Sequence, residues 1–139
     1  MAAFDRLGRL ANQFAELADF LTIYIEEAHP ADGWAFRDNV HVRTHRDIRE
    51  RIAATSYLEA KSALTVVVDN MDDECNRAYG GLYERLYIVQ NGVVVYQGNR
   101  GPAGFKVSEV EDWLNKYKNL STVDEVVPEV AVAAATAAA

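Results

Sequence analysis

The stretch Leu86–Gln97 reads LYIVQNGVVVYQ and predicts a β-hairpin. Two runs of strand-forming residues, Leu86–Gln90 and Val93–Gln97, are separated only by Asn91 and Gly92. This dipeptide favours a type I′ turn, because that turn needs a positive φ at both central residues. The hairpin supplies two antiparallel strands, and the segments around it decide how the sheet is completed.

Upstream of the hairpin, two apolar runs predict buried strands at Phe20–Ile25 and Leu64–Val68. A helix between them is predicted to begin near His45, with Thr44 as the N-cap and Asp47 completing a capping box. Two strands joined through a helix should be parallel, with a right-handed crossover. The apolar stripe of this helix is predicted at Ile48, Ile52, Ala53 and Tyr57.

Two more helices complete the pattern. Apolar residues repeat at helical spacing over Phe4–Ala18, and Ser108 with Glu111 opens a last helix that runs through Lys118. The order helix, strand, helix, strand, hairpin, helix predicts an α/β fold with a mixed four-stranded sheet and helices on both faces. This is a thioredoxin-like layout that lacks its first strand.

The 139 residues favour one domain, which we place at residues 1–120. Residues 121–139 are acidic at first and then rich in alanine. Alanine favours helix, but this tail has no amphipathic face to bury. We therefore expect residues 121–139 to be a disordered tail.

Composition excludes several classes of function. The net charge of −7 argues against a nucleic-acid partner, because phosphate binding needs clustered cationic side chains. The only cysteine, Cys75, rules out an intrachain disulfide. His41 and His45 stand four residues apart without a third ligand at a suitable spacing, so no metal site is expected. No apolar run reaches the length of a membrane helix and no secretory signal is visible, so the chain as given is expected to be soluble and intracellular.

A cluster of titratable residues follows the first predicted strand. Glu26, Glu27 and His29 lie at its carboxyl end, which is where open α/β sheets bind ligands. A carboxylate beside His29 would hold one imidazole tautomer and suit it to general acid catalysis. Composition alone fits a solvated strand end with a surface histidine better.

Three other residues carry chemistry of their own. His45, at a helix N-terminus, is expected to be neutral and able to accept a proton, although a surface histidine in a capping turn fits equally well. Arg100, in the loop QGNRGPAG, offers a planar fork for a carboxylate, although loop arginines are usually solvated. Cys75 follows the acidic residues 72–74, which should raise its pKa and make it a poor nucleophile.

Three segments of the chain together resemble the iodothyronine deiodinases. They are DFLTIYIEEAHPADGW (19–34), MDDECNRAYGGLYERLYIVQNGVVVYQGNRGP (71–102) and SEVEDWLNKY (108–117). The likeness runs from Met1 to about Lys118. It implies a thioredoxin-like fold and reductive removal of iodine from thyroid hormones, thyroxine and triiodothyronine, by a selenocysteine. It also implies a thiol reductant as co-substrate, no bound cofactor, an iodothyronine substrate and a homodimer.

The same resemblance implies roles for individual residues. Tyr24, Glu27 and His45 match a proton-relay network, although the loop before His45 is about one residue shorter than in the family. His29 and Arg100 match residues that clamp the two ends of the hormone. His29 also matches the family's catalytic corner.

The chain departs from the family pattern at its start. The family's first strand, its selenocysteine and a membrane anchor would all precede Met1, so we expect a chain truncated just after the selenocysteine motif, for instance by a UGA codon read as a stop. Such a chain should be inactive alone. The alternatives are a redox-silent thioredoxin-like binding module and a thiol peroxidase or reductase that uses Cys75.

Overall fold

A computed structural model describes residues 2–35, 40–60, 64–120 and 129–136 of the chain. In these ranges the helices and strands are, in chain order, α1 (Ala2–Gln13), β1 (Asp19–Tyr24), α2 (Ile48–Ala54), α3 (Ser56–Glu59), β2 (Thr65–Val68), α4 (Glu74–Tyr79), β3 (Glu84–Gln90), β4 (Val93–Gln97), α5 (Val107–Leu120) and β5 (Val130–Thr136). None of the described helices is long and apolar enough to cross a membrane.

The strands form one mixed sheet in the order β2-β1-β5-β3-β4. Strand β1 is parallel to β2 and β5, whereas β3 is antiparallel to β5 and β4. The predicted hairpin is confirmed, with positive φ angles of 49° at Asn91 and 77° at Gly92. The prediction of an α/β, thioredoxin-like mixed sheet with helices is also confirmed.

The prediction of a disordered tail is wrong for Val130–Thr136. This segment is β5, and it lies in the middle of the sheet, between β1 and β3. The sheet therefore has five described strands where the sequence predicted four. Tertiary pairing on both sides overrides the helix preference of alanine, as it often does for short segments. The rest of the predicted tail, residues 121–128 and 137–139, lies outside the described residues, and the domain boundary at residue 120 stays a prediction.

The core divides into two clusters of buried side chains. The larger cluster joins α1 and α5 to β3 and β5. The smaller cluster joins Tyr24 of β1 to Val42, to Ala54 of α2 and to Leu58 of α3. In the larger cluster the central residues are Leu7, Leu10, Phe14, Leu86, Ile88, Val110, Leu114, Val130, Val132 and Ala134.

The start of α2 differs from the prediction. Its N-cap is Asp47, whose carboxylate accepts hydrogen bonds from the backbone N–H groups of Arg49 and Glu50, at 2.8 and 3.0 Å. Thr44 instead donates to the Asp32 carboxylate, through its backbone N–H and its hydroxyl. The helix consequently begins at residue 48, and the residues before it form an extended loop.

The inward face of α2 also differs from the prediction. Ile48 and Ile52 are 38% and 52% exposed, whereas Arg51 and Ala54 are buried. The predicted apolar stripe is therefore wrong, because polar acceptors in the loop after β2 hold the arginine inside. Helix boundaries differ as well: α1 ends at Gln13 and α5 already begins at Val107, while α4 is a helix that the sequence did not predict.

Removing β5 should abolish cooperative folding. A chain that ends at Leu120 lacks Val130 and Val132, whose complete burial contributes about 1.5–3 kcal/mol each, and it lacks both backbone ladders of β5. The loss approaches the roughly 5–15 kcal/mol that stabilises a small domain. We expect no cooperative transition when this chain is melted and followed by circular dichroism.

A chain that ends at Thr136 is the matched control, because it retains β5 and should keep a cooperative transition. A sharp transition in the chain that ends at Leu120 would contradict the role assigned to β5.

Candidate active site

A row of paired residues crosses the sheet at the carboxyl ends of its parallel strands. Tyr24 pairs with Val68 on one side and with Thr136 on the other, and Thr136 pairs with Glu84. Just beyond the row, the backbone N–H of Ile25 donates to the carbonyl of Thr136 at 2.8 Å. The residues that follow β1 therefore leave the sheet at the edge where open α/β folds bind ligands.

Tyr24, Glu27 and His45 come together at this edge. The Tyr24 side chain is completely buried, and its hydroxyl donates a hydrogen bond to the Glu27 carboxylate. The same hydroxyl lies 3.4 Å from Nε2 of His45, and the two rings are 5.6 Å apart between centroids. Because the only phenolic hydrogen goes to Glu27, the Tyr24 oxygen is left to accept from an Nε2–H. A phenol between an imidazole and a carboxylate can pass a proton between them.

His45 is held in the neutral form. Burial lowers its pKa, and the nearby positive charge of Arg51 lowers it further, while Glu50 and Asp73 act in the opposite direction. A neutral His45 was expected from the sequence, but the expected cause was a helix N-terminus. The structure places His45 two residues before the N-cap of α2, so burial and Arg51 are the causes.

His45 also lines a polar cleft of about 470 Å³ between the loop 40–46 and helices α2 and α3. His41 and Tyr57 lie on the same cleft. The imidazole thus lies between the Tyr24 hydroxyl and a space that water can enter.

His29 lies in a group of aromatic rings. Its ring stacks nearly parallel to Tyr83, with centroids 6.1 Å apart, and meets the edge of Trp34 at 5.3 Å. Its Nδ1 is 3.1 Å from the carbonyl oxygen of Trp34. The carboxylate of Glu26, which was considered as a support for His29, accepts a hydrogen bond from Asn76 at 3.1 Å. With Trp34 74% exposed, the group offers flat apolar surface to an aromatic ligand.

Arg100 lies in the loop after β4, and its guanidinium forms no ion pair with a carboxylate among the described residues. Gly80 separates it from Arg85: a Cβ built on Gly80 would lie 3.3 Å from Nη2 of Arg100 and 3.2 Å from Nη1 of Arg85. Arg85 is fixed by donating from Nε to the carbonyl of Gly98, at 2.8 Å. Two guanidinium groups therefore converge on the end of α4, a suitable place for an anionic group.

The segment from Gly80 to Tyr83 connects the two places. Gly80 contacts the arginines, and Tyr83 stacks on His29. Three peptide units span at most about 11 Å. The aromatic group and the arginine pair therefore lie at the two ends of one short segment.

Sequence reasoning missed three residues of this edge: Trp34, Tyr83 and Glu84. Burial raises the pKa of the Glu84 carboxyl group, which lies in the row with Tyr24 and Thr136. From the sequence alone, an acidic residue at the start of a strand is expected to be exposed to solvent. The partial burial of Glu84 becomes evident only from its pairing with β5. The aromatic pair could have been noticed, because Trp34 and Tyr83 stand in the two segments that carry the family likeness.

The Cys75 thiol behaves as the sequence suggested. Burial raises its pKa, with a smaller effect from Asp69, so little reactive thiolate forms near neutral pH. The expected cause was the acidic run before it, whereas the larger cause is burial.

Lowering the pH should destabilise the fold through His45. Because its pKa is lower in the folded chain, the unfolded chain takes up a proton first as the pH falls below about 6.5. The contribution of neutral His45 to stability is therefore complete above that pH and is lost as the pH falls toward the folded pKa. Glu84, with a raised pKa, acts in the opposite direction, so the informative quantity is a difference between variants.

We expect His45→Gln to flatten the pH dependence of the free energy of unfolding, measured by urea denaturation between about pH 7.5 and 5.5. The exposed His41 provides the control, and His41→Gln should leave the dependence unchanged. An equal slope in wild type and His45→Gln would show that His45 is not the titrating group.

Comparison with known proteins identifies the family of the chain. A profile of the iodothyronine deiodinase family matches residues 1–118. The chain is 48% identical over 121 residues to a thyroxine 5-deiodinase of Sparus aurata, covering 86% of this chain and 44% of the relative. It is 44% identical over 124 residues to a thyroxine 5-deiodinase of Aquarana catesbeiana, covering 88% and 46% of the two chains.

A type I iodothyronine deiodinase of Xenopus laevis is 46% identical over 117 residues, which cover 81% of this chain and 46% of that protein. The chain spans slightly less than half the length of these relatives. The resemblance drawn from the three sequence segments is therefore confirmed, and the chain belongs to the iodothyronine deiodinase family.

Proposed function

We propose that this chain forms the hormone-binding and proton-delivering part of an enzyme that removes iodine reductively from thyroid hormones such as thyroxine and triiodothyronine. The observation that carries the proposal is the partly buried chain of contacts from Glu27 through the Tyr24 hydroxyl to His45, at the carboxyl edge of the sheet. Membership of the family supplies the class of reaction.

The reaction needs a proton at a carbon atom. When a nucleophile takes the iodine from an aromatic carbon, that carbon keeps the bonding electron pair and must gain a proton. The family resemblance implies that the nucleophile is a selenocysteine, and a thiol reductant then restores it while iodide leaves. The 139 residues include no selenocysteine, so this step depends on a residue that the chain does not supply.

The residues of this chain would handle the proton. His45 is neutral and lines the cleft, so it can take up a proton from water. The Tyr24 hydroxyl, which contacts both His45 and Glu27, would pass the proton from His45 to Glu27, and Glu27 would give it to the carbon that has lost iodine. A positioned relay of this kind typically accelerates a reaction by about 10²–10⁴-fold.

The other residues would hold the hormone. An iodothyronine has two aromatic rings and an amino-acid end with a carboxylate. His29, with Tyr83 and Trp34, offers ring surfaces for one end. Arg100, which has no carboxylate partner among the described residues, would pair with the carboxylate at the other end, and Arg85 lies beside it.

The resemblance further implies a homodimer, which we include in the proposal. Strand β4 is at an edge of the sheet, and its three exposed valines, residues 93–95, offer an apolar strand to a second copy. Of the two alternatives, a thiol reductase or peroxidase that uses Cys75 is disfavoured by the raised pKa of that thiol. A binding module without redox activity would share the hormone site but not the need for a relay.

Thyroxine should bind to this chain through Arg100. Arg100→Ala removes a charge-assisted contact of about 1.5–3 kcal/mol, so we expect Kd to rise by about 10- to 100-fold in isothermal titration calorimetry. Arg49 is an exposed arginine on α2, away from the loop that carries Arg100, and Arg49→Ala should leave Kd unchanged. Equal affinities for wild type and Arg100→Ala would remove Arg100 from the site.

In a longer protein that carries the nucleophile, the relay and the clamp should respond differently to substitution. Glu27→Gln keeps the shape but removes the charge that accepts from Tyr24, so kcat should fall by about 10²–10⁴-fold with little change in KM. His29→Ala should lower kcat and also raise KM, because His29 would contact the reacting ring. His41→Ala is the control, and a loss equal to that of His29→Ala would place the hormone elsewhere.

A further inference from the structure

Arg51 is a buried charged residue that the proposed relay does not use. Its side chain is only 3% exposed. Its Nη1 donates to the carbonyl oxygens of Asp69 and Asn70, at 3.3 and 2.6 Å, and to the Asp73 carboxylate at 2.8 Å. Its Nε has no hydrogen-bond partner within the described part of the chain. Burying a guanidinium costs free energy unless the group is paired, and these three acceptors supply the pairing. The structural purpose of burying Arg51 requires an explanation.

The apolar attachment of α2 is weak. Ile48 and Ile52, which would normally dock such a helix, are exposed. The smaller core cluster contains only one residue of α2, the short side chain of Ala54. Arg51 is therefore the largest side chain of α2 that faces inward, and its hydrogen bonds are the main attachment of the helix.

The acceptors of Arg51 are themselves fixed to the site edge. The Asp69 carboxylate accepts from the backbone N–H groups of Asn70, Cys75 and Asn76. The backbone N–H of Asp69 donates to the carbonyl of Tyr24 at 2.8 Å. Through Arg51, α2 is therefore fastened to the strand ends that carry Tyr24.

His45 lies two residues before Asp47, the N-cap of α2. Asp47 caps the helix, and its carbonyl accepts from the backbone N–H of Arg51 at 3.2 Å. The position of the His45 ring relative to Tyr24 consequently depends on where α2 lies. We propose that Arg51 is a positioning residue whose guanidinium, through Nη1, holds α2, and with it His45, against the Tyr24 hydroxyl.

The role of this contact in catalysis rests on the proposed function, whereas the contact itself can be measured without activity. The charged groups that act on His45 are Glu50 and Arg51 of α2 and Asp73 of the loop before α4. Tyr24, on β1, faces its Nε2. Arg51 lowers the pKa of His45 and Asp73 raises it, so a purely electrostatic role and a positioning role predict opposite results when Asp73 is neutralised.

The experiment is proton NMR of the full chain, with a His45 pH titration and nuclear Overhauser contacts between the His45 and Tyr24 rings. We expect Arg51→Met to abolish the contact, because methionine has no N–H group for the three acceptors that Nη1 of Arg51 serves. Slow amide exchange at Tyr87 and Ala133, in β3 and β5, would show that the sheet remains folded. Arg49→Met, on the exposed face of α2, is the matched control and should keep the contact.

Retention of the contact in Arg51→Met would overturn the proposal. Asp73→Gly provides a second test if Arg51→Met fails to fold, because it removes the carboxylate acceptor at a positive-φ position that glycine tolerates and leaves the buried arginine in place. Release of α2 should move the His45 pKa up toward its ordinary value near 6.5. A fall of that pKa would mean that His45 had stayed in place and had lost only the favourable interaction with the Asp73 charge. This result would also overturn the proposal.

Neither outcome depends on hormone turnover. Failure of the Arg51 proposal would leave the relay and the clamp to be judged by their own experiments. Failure of the proposed function would leave Arg51 as the residue that holds His45 beside Tyr24.

Discussion

The insertion of β5 between β1 and β3 is the interaction on which the rest of the structure depends. Without it the described sheet would be two separate pairs of strands, β2 with β1 and β3 with β4. Strand β5 pairs with β3 over Val130–Thr136 and with β1 over Ala131–Thr136, and its valines enter the same core as α1 and α5. Small side chains suit this position, because the backbone of Gly81 packs closely against Ala135. A Cβ added to Gly81 would lie only 2.7 Å from the Cβ of Ala135.

The candidate site inherits its geometry from that sheet. Pairing across three strands places Tyr24 and Glu84 in one row, with Thr136 between them. The loop after β1 then brings Glu27 to the Tyr24 hydroxyl, while α2 brings His45 from the other direction. A short segment after α4 carries both Gly80, beside the arginines, and Tyr83, beside His29. Tyr24 and Arg85 thus stand on strands, whereas His29, Tyr83 and Arg100 stand in loops.

The features that local patterns determine could be predicted from the sequence. The hairpin follows from Asn91 and Gly92, and the meeting of Tyr24, Glu27 and His45 followed from the family likeness. Features that depend on distant partners could not be predicted. The alanines of β5 favour helix by themselves, and only pairing with β1 and β3 makes the segment a strand. The sequence pattern of the segment therefore did not predict β5.

The inward face of α2 was missed for a similar reason. An arginine is buried only when acceptors elsewhere in the chain are fixed to receive it, and the acceptors of Arg51 lie 18 to 22 positions further along the sequence. A helical pattern read from the residues of α2 alone carries no information about those partners.

The central place of β5 has a consequence for the order in which the chain can fold. The hairpin β3–β4 joins neighbours in sequence and can form early, but β1 and β5 come from segments roughly 110 residues apart. Bringing these segments together costs loop-closure entropy before their hydrogen bonds and packing can stabilise the pair. The step that completes the sheet is therefore the most non-local one in the molecule, and it should set the folding rate. Until that step is complete, the facing edges of β1 and β3 present unpaired backbone groups to any other strand nearby.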